Sequence, residues 1–237
     1  QRKVEENNFG IRKRLIEYDD VMNSQREIIY AKRRKYLEGN ELRAEIEEMF
    51  SEELSAIVAS QTDARTGAVN LEEVQKITAE LIPLDKEWAS KLDTKVPELI
   101  TDDLMNKTKK AIDRRQTEVG NDLLNLLFKM VCLKTIDSAW LQHLETMEHL
   151  REGIGLRGYG QRDPLVEYKA EAYRLFNSLL AEIRFEVVNT VLKVNIQVQP
   201  EELENTKRKF PALQLEFEQK LKEQGSVIFE KSLLVRL

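Results

Sequence analysis

A single cysteine, Cys132, excludes an internal disulfide framework and suits a reducing compartment. Histidine is almost as scarce. His143 and His149 stand six positions apart, which puts them on different faces of a helix, and Cys132 lies eleven positions before His143, so no zinc spacing emerges. By the burial habits of these residue types, the expectation is two surface histidines and a core thiol. Ser138 completes no nucleophile arrangement with them. Glycine and proline are few, 9 and 5, while 33% of residues are charged, a composition that favours long solvated helices over a β-sandwich. No window of about 18 apolar residues occurs, which excludes a membrane-spanning helix, and no Gly-x-x-x-x-Gly-Lys-Ser/Thr run supplies a phosphate-binding loop. A net charge of −5 argues against a nucleic-acid binder at the level of the whole chain. No secretory leader stands at the start, and a beginning at Gln1, inside a helical pattern, is expected of a piece cut from a longer protein.

What is present is helical periodicity. A length of 237 residues allows one or two domains with a substantial core. Val4, Ile11, Leu15, Tyr18, Met22, Ile29 and Tyr36 keep three- and four-residue steps and predict one long helix over 3–37, stopped by Gly39-Asn40. A second helix is expected over about 41–60, then a polar loop over 62–67. Asn70 with Glu73 resembles a capping box opening a short helix through Leu81. Pro83 and Pro97 break the next stretch around Trp88, so 40–119 reads as a small helical subdomain inserted between longer helices. From Thr101 a helical pattern runs to about Glu152, with Gly120 as its weak point. Leu123, Leu126, Met130, Leu133, Ile136, Trp140, Leu144 and Met147 line one face of it.

Gly153, Gly155, Gly158 and Gly160 are four of the nine glycines, and their clustering predicts a loop. Pro164 suits the first turn of the following helix, with Asp163 as N-cap; that helix carries Tyr168, Ala172, Tyr173, Phe176, Leu179, Leu180, Ile183, Val187 and Val191. Two apolar helices joined by about ten residues should fold back as an antiparallel hairpin. Val194, Ile196 and Val198 then alternate with polar residues, as in a short strand or an extended exit. Residues 226–237 read either as an extra strand or as a tail.

Gly153, Gly155 and Gly158 spell a literal Gly-x-Gly-x-x-Gly, but dinucleotide binding needs a strand before it, and here a helix precedes. Glu17, Asp19 and Asp20 could serve as paired carboxylates; within helical reach of Lys13 and Arg14 they read better as a solvated face. Lys32-Arg33-Arg34-Lys35, and Lys107, Lys109, Lys110, Arg114 and Arg115, could meet acidic phospholipid, nucleic acid or an acidic protein surface, against the plainer reading of solvated helix faces balanced by glutamates. Asp137 sits on the apolar side between Leu133 and Trp140, where a lone carboxylate is costly. It reads as a structural lock that another segment must pair. Leu156, Arg157 and Tyr159 are displayed at the glycine turn, and arginine and tyrosine are favoured where a surface grips another polypeptide.

Longer blocks carry a family resemblance. Glu17-Tyr18-Asp19-Asp20-Val21-Met22-Asn23, followed by Gln25-Arg26 and Ile29-Tyr30, resembles the scaffold-helix signature of the SecA family of bacterial preprotein translocase ATPases. Leu133-Lys134-Thr135-Ile136-Asp137-Ser138-Ala139-Trp140, His143-Leu144, Leu150-Arg151-Glu152-Gly153-Ile154 and Leu156-Arg157-Gly158-Tyr159 through Asp163-Pro164, with Glu167-Tyr168-Lys169, are similar to the same family in the same order. The resemblance covers about 1–198, with 40–119 matching by position and helical character.

The resemblance implies an all-α fragment: a helical scaffold over 1–39 and 120–198, the latter containing a two-helix finger around Gly153–Pro164; a helical wing over 40–119; and a C-terminal linker over 199–237. It implies a non-catalytic portion of an ATP-driven motor, coupling nucleotide-binding domains outside this chain to the polypeptide in transit and regulating ATP hydrolysis. ATP and magnesium belong to those domains, and no cofactor or metal is expected here. The implied partners are the motor domains, the Sec channel and a preprotein, with Tyr159 at the position that touches the moving chain and Leu156 and Arg157 beside it. Acidic phospholipid and a second copy are further partners compatible with the family. The implied location is the cytoplasmic face of the bacterial plasma membrane, held peripherally. The family's terminal cysteine-rich zinc motif has no counterpart here. A free-standing helical scaffold or adaptor is the alternative.

Overall fold

The computed structural model describes residues 2–39, 41–92, 96–157 and 163–194, with side chains for 16–39, 41–92, 96–154 and 163–194. Its helices are α1 (Arg2–Glu38), α2 (Arg43–Ser60), α3 (Leu71–Thr78), α4 (Pro97–Val119), α5 (Asn121–Arg157) and α6 (Pro164–Val191), with a 3-10 turn at Ala89–Lys91. Among the described residues the only β pairing is one bridge, Thr62 with Val69. The fold is all-α, as the periodicity predicts. The strand or extended exit expected from Val194 onward falls largely outside the described residues.

Local chemistry sets the helix ends. The Asn70 side chain accepts from the Glu73 amide at 3.2 Å and starts α3. That helix stops at Thr78 rather than Leu81; beyond it the chain tightens into turns in which the Leu81 and Ile82 amides both donate to the Thr78 carbonyl at 2.9 Å. α4 begins four residues earlier than expected because Pro97 fits its first turn, where no amide is needed. Gly120 is a full break rather than a weak point: its φ of +84° and ψ of 158° favour glycine and separate α4 from α5.

The larger departure is at the glycine run. α5 continues through Gly153 and Gly155 to Arg157, so the first half of the expected loop is helix. Two glycines penalise it by roughly 1 kcal/mol each, and full burial of an isoleucine contributes about 1.5–3 kcal/mol. Ile154 is 4% exposed and packs with Met147, Tyr168 and Ala172, so packing offsets propensity.

The described chain divides into two compact units, one of residues up to 35 with 136–182, the other of 36–135 with 183–194. In the second, α2 packs on α4 and α3, burying Ile46, Phe50, Leu54, Val74, Ile100 and Leu104. The Trp88 indole donates to Asp103 at 2.7 Å, and Arg184 reaches Glu52 at 2.8 Å and Glu53 at 3.1 Å. Asp63 accepts the Thr66 and Arg65 amides in a tight turn closed by Gly67 at φ +68°, and those hydrogen bonds lower its pKa.

The first unit is a three-helix sheaf. Arg33 meets Asp137, Gln25 meets His143 and Asp19 meets Arg151, so α1 and α5 run antiparallel. His143 lies near Phe176 and Ile154 near Tyr168, so α5 and α6 form the expected antiparallel pair.

Candidate functional site

The candidate site is the end of that helix pair, where α5 gives way to α6. Asp163 sets the return: its carboxylate accepts the Leu165 amide at 2.8 Å, and its carbonyl accepts the Val166 and Glu167 amides at 3.1 and 3.2 Å. Leu156 and Arg157 occupy the last turn of α5, and their side chains lie outside the described ones. Tyr159 lies outside the described residues altogether.

Beneath the turn is an apolar layer. Met147, Ile154, Tyr168 and Ala172 are buried together, with Tyr18, Val21, Met22, Leu150 and Leu175 against them. The Tyr18 and Tyr168 rings meet edge to face at 4.7 Å. Burial pushes the Tyr168 hydroxyl up to about 12, so it is a neutral core group across the physiological range. At the surface Arg151 reaches Asp19 at 3.8 Å.

One layer further from the turn stands a polar group that the sequence reading misses. The Gln25 amide nitrogen donates to the Ala172 carbonyl at 3.1 Å, and its oxygen lies 2.9 Å from His143 Nε2. His143 is 5% exposed, which corrects the expectation of a surface histidine; only His149, 3.8 Å from Glu152 at the surface, fits it. The imidazole stacks on Trp140 at 5.5 Å and faces Phe176 at 5.9 Å, and burial pushes its pKa down to about 4. Trp140 is fully buried, with its indole nitrogen lacking a hydrogen-bond partner.

The last layer holds Asp137. Arg33 grips it with two parallel hydrogen bonds, Nε to Oδ1 at 2.8 Å and Nη2 to Oδ2 at 3.2 Å. Arg33 is 7% exposed, so the Lys32–Lys35 run is not a uniformly solvated basic face. The α4 basic run is partly paired with acids: Arg114 with Glu118 on the same helix at 2.9 Å, and Lys107 approaching Asp85, which precedes that helix, at 3.9 Å. Two residues expected on apolar faces are exposed, Met130 at 44% and Tyr173 at 70%. Among the described residues no three His, Cys, Asp or Glu side chains gather to hold a metal, and no helix is long and apolar enough to cross a membrane.

Gln25, Arg33 and His143 share one signal that could have found them: polar residues on an otherwise apolar helical stripe. The arrangement is a set of apolar, hydrogen-bonded and ion-paired layers that joins α1 to the ends of α5 and α6.

Comparison with known proteins identifies the family. The SecA wing and scaffold domain model matches residues 1–195. The protein translocase subunit SecA of Geobacter sp. (strain M21) is 41% identical over 223 residues, which is 92% of this chain and 23% of that protein. The same subunit from Pelobacter propionicus is 43% identical over 211 residues, covering 86% of this chain and 23% of its own length. That of Geobacter sulfurreducens is 41% identical over 201 residues, 83% and 22%. The chain thus spans about a quarter of the length of the curated relatives it matches. With more than four-fifths of its residues inside the family model, and the motif-bearing helices inside it, the chain belongs to the SecA wing and scaffold domain family.

Proposed function

We propose that this chain is the non-catalytic scaffold, finger and wing portion of an ATP-driven motor that moves preproteins through the Sec channel. The observation that supports this reading most is the family match over residues 1–195, joined to relatives named as translocase subunits at about 40% identity. On this reading 1–39 and 120–198 form the scaffold, with the finger between Gly153 and Pro164; 40–119 form the wing and 199–237 a linker. ATP and magnesium act in nucleotide-binding domains outside the chain, and the chain alone binds neither. Its partners are those motor domains, the channel and the preprotein, with acidic phospholipid and a second copy as further candidates. The motor works at the cytoplasmic face of the bacterial plasma membrane without spanning it.

The finger tip is the working contact. Tyr159, flanked by Leu156 and Arg157, supplies a broad amphipathic surface for a polypeptide of varied sequence. The layered mount beneath the turn suits a part that must push without yielding. A photo-reactive side chain at position 159 of the full-length protein tests this directly. Cross-links to preprotein, or to the channel, during ATP-driven transport are expected; cross-links confined to the motor's own domains would contradict the reading.

A further inference from the structure

Gln25 is one side chain on one helix that hydrogen-bonds to two others. Its amide can face only one way: the nitrogen donates to the Ala172 carbonyl on α6, so the oxygen accepts, and His143 Nε2 on α5 must carry the proton. Gln25 and His143 are each 5% exposed. Trp140 and Phe176 flank the imidazole and hold its plane.

A polar trio in this place is not explained by stability alone. Burying an amide and an imidazole is costly unless each is satisfied, and leucines at both positions would pack the helices together without that demand. Apolar packing, however, is non-directional. An amide with one donor bound to α6 and one acceptor bound to α5 fixes both helices in height and rotation against α1. From His143 to Arg157 α5 extends about 21 Å, at 1.5 Å per residue, so a tilt of about 5° at the trio displaces the helix end by about 2 Å.

We propose that Gln25 and His143 are positioning residues, which set where the α5–α6 turn stands relative to α1. The Arg33–Asp137 pair ties α1 to α5, as does Asp19 with Arg151 nearer the turn, where apolar packing and the Tyr18 and Tyr168 ring edges add to it. At the trio both arms of the pair are tied to α1 by hydrogen bonds. Its consequence for transport rests on the finger reading above; its consequence for the geometry of the sheaf does not.

The test uses the full-length protein carrying Gln25→Leu with His143→Leu, which removes donor and acceptor together and so leaves little unsatisfied. Amide exchange across residues 144–157 and 164–172 is expected to quicken about tenfold at an unchanged melting temperature, because the arms open locally. Preprotein moved per ATP hydrolysed is expected to fall about fivefold through mispositioning of the turn. His143→Gln with Gln25 intact, which keeps a donor for it, should leave both at wild-type values. Gln25→Met, deleting only the amide, is read the same way should the double variant not fold. Wild-type exchange in a folded variant would overturn the positioning role. Faster exchange with wild-type transport would support that role and overturn the finger reading.

Discussion

Arg33 and Asp137, 104 residues apart in sequence, face each other fork to fork, with Nε–Oδ1 at 2.8 Å and Nη2–Oδ2 at 3.2 Å. The arginine side chain is 8% exposed and the aspartate 23%, so the pair is shielded from solvent on one side more than the other. Removing one member leaves a shielded charge without its counterpart, whereas replacing both with apolar groups does not. Asp137→Ala should therefore lose about 2–4 kcal/mol, and Arg33→Met with Asp137→Leu should lie within about 1 kcal/mol of wild type. Urea unfolding of the three proteins checks this; equal losses in the single and double variants would contradict it.

Trp140 fills the centre of the sheaf at 0% exposure, stacked on His143. Trp140→Ala should cost roughly 3–5 kcal/mol, the range for truncating a buried large aromatic. Trp140→Phe should cost less, since the indole nitrogen has no hydrogen-bond partner to lose. A phenylalanine variant less stable than the alanine one would contradict this account of the site.

His143 makes stability depend on pH in a defined window. Its ordinary value of 6.5 holds in the unfolded chain, and burial depresses it to about 4 in the fold. Above 6.5 both states are neutral and stability is flat from this source. As pH falls from 6.5 toward 4 the unfolded chain takes the proton first, so stability declines, by up to roughly 3 kcal/mol. His143→Gln keeps a donor for Gln25 but cannot titrate, and its urea midpoint should fall less between pH 7 and pH 4. Parallel declines would assign the dependence to other groups.

Two glycines should respond in opposite directions. A methyl group added at Gly120 or at Gly153 would meet nothing within 4 Å, so steric crowding decides neither case. Gly120 holds φ at +84°, where an L-residue is strained; Gly120→Ala should cost about 1–3 kcal/mol. Gly153 sits inside α5, and Gly153→Ala should stabilise by about 0.5–1 kcal/mol. Thermal melting of both variants reads the signs, and a destabilised Gly153→Ala would show that the helix there needs glycine.

The same pair marks what is legible in the sequence. Helix positions follow from periodicity, and the Asn70 and Asp163 caps from residue type, because both are properties of neighbouring residues. Gly153 misleads because intrinsic preference is local, while the burial of Ile154 against Tyr168 and Ala172 comes from a segment across the turn. His143 misleads for the same reason: its burial depends on Gln25, 118 residues away, and a histidine is buried only where such a partner satisfies it. Arg33 stands among three other cations, and only its place on the stripe between Ile29 and Tyr36 marks it as the one that pairs with Asp137. Asp137 can be read as needing a partner, since an apolar stripe makes that demand without saying who meets it.

On the proposed reading the connection between α5 and α6 acts on the transported chain through Tyr159, while the ATP chemistry lies outside this chain. Measuring preprotein transport and basal ATP hydrolysis side by side for Tyr159→Ala in the full-length protein tests it most directly. The account predicts that transport falls about tenfold or more while basal hydrolysis stays within about twofold, the separation expected when a contact is lost and the reacting site is not. Equal losses in both, in a protein that melts like wild type, would contradict it.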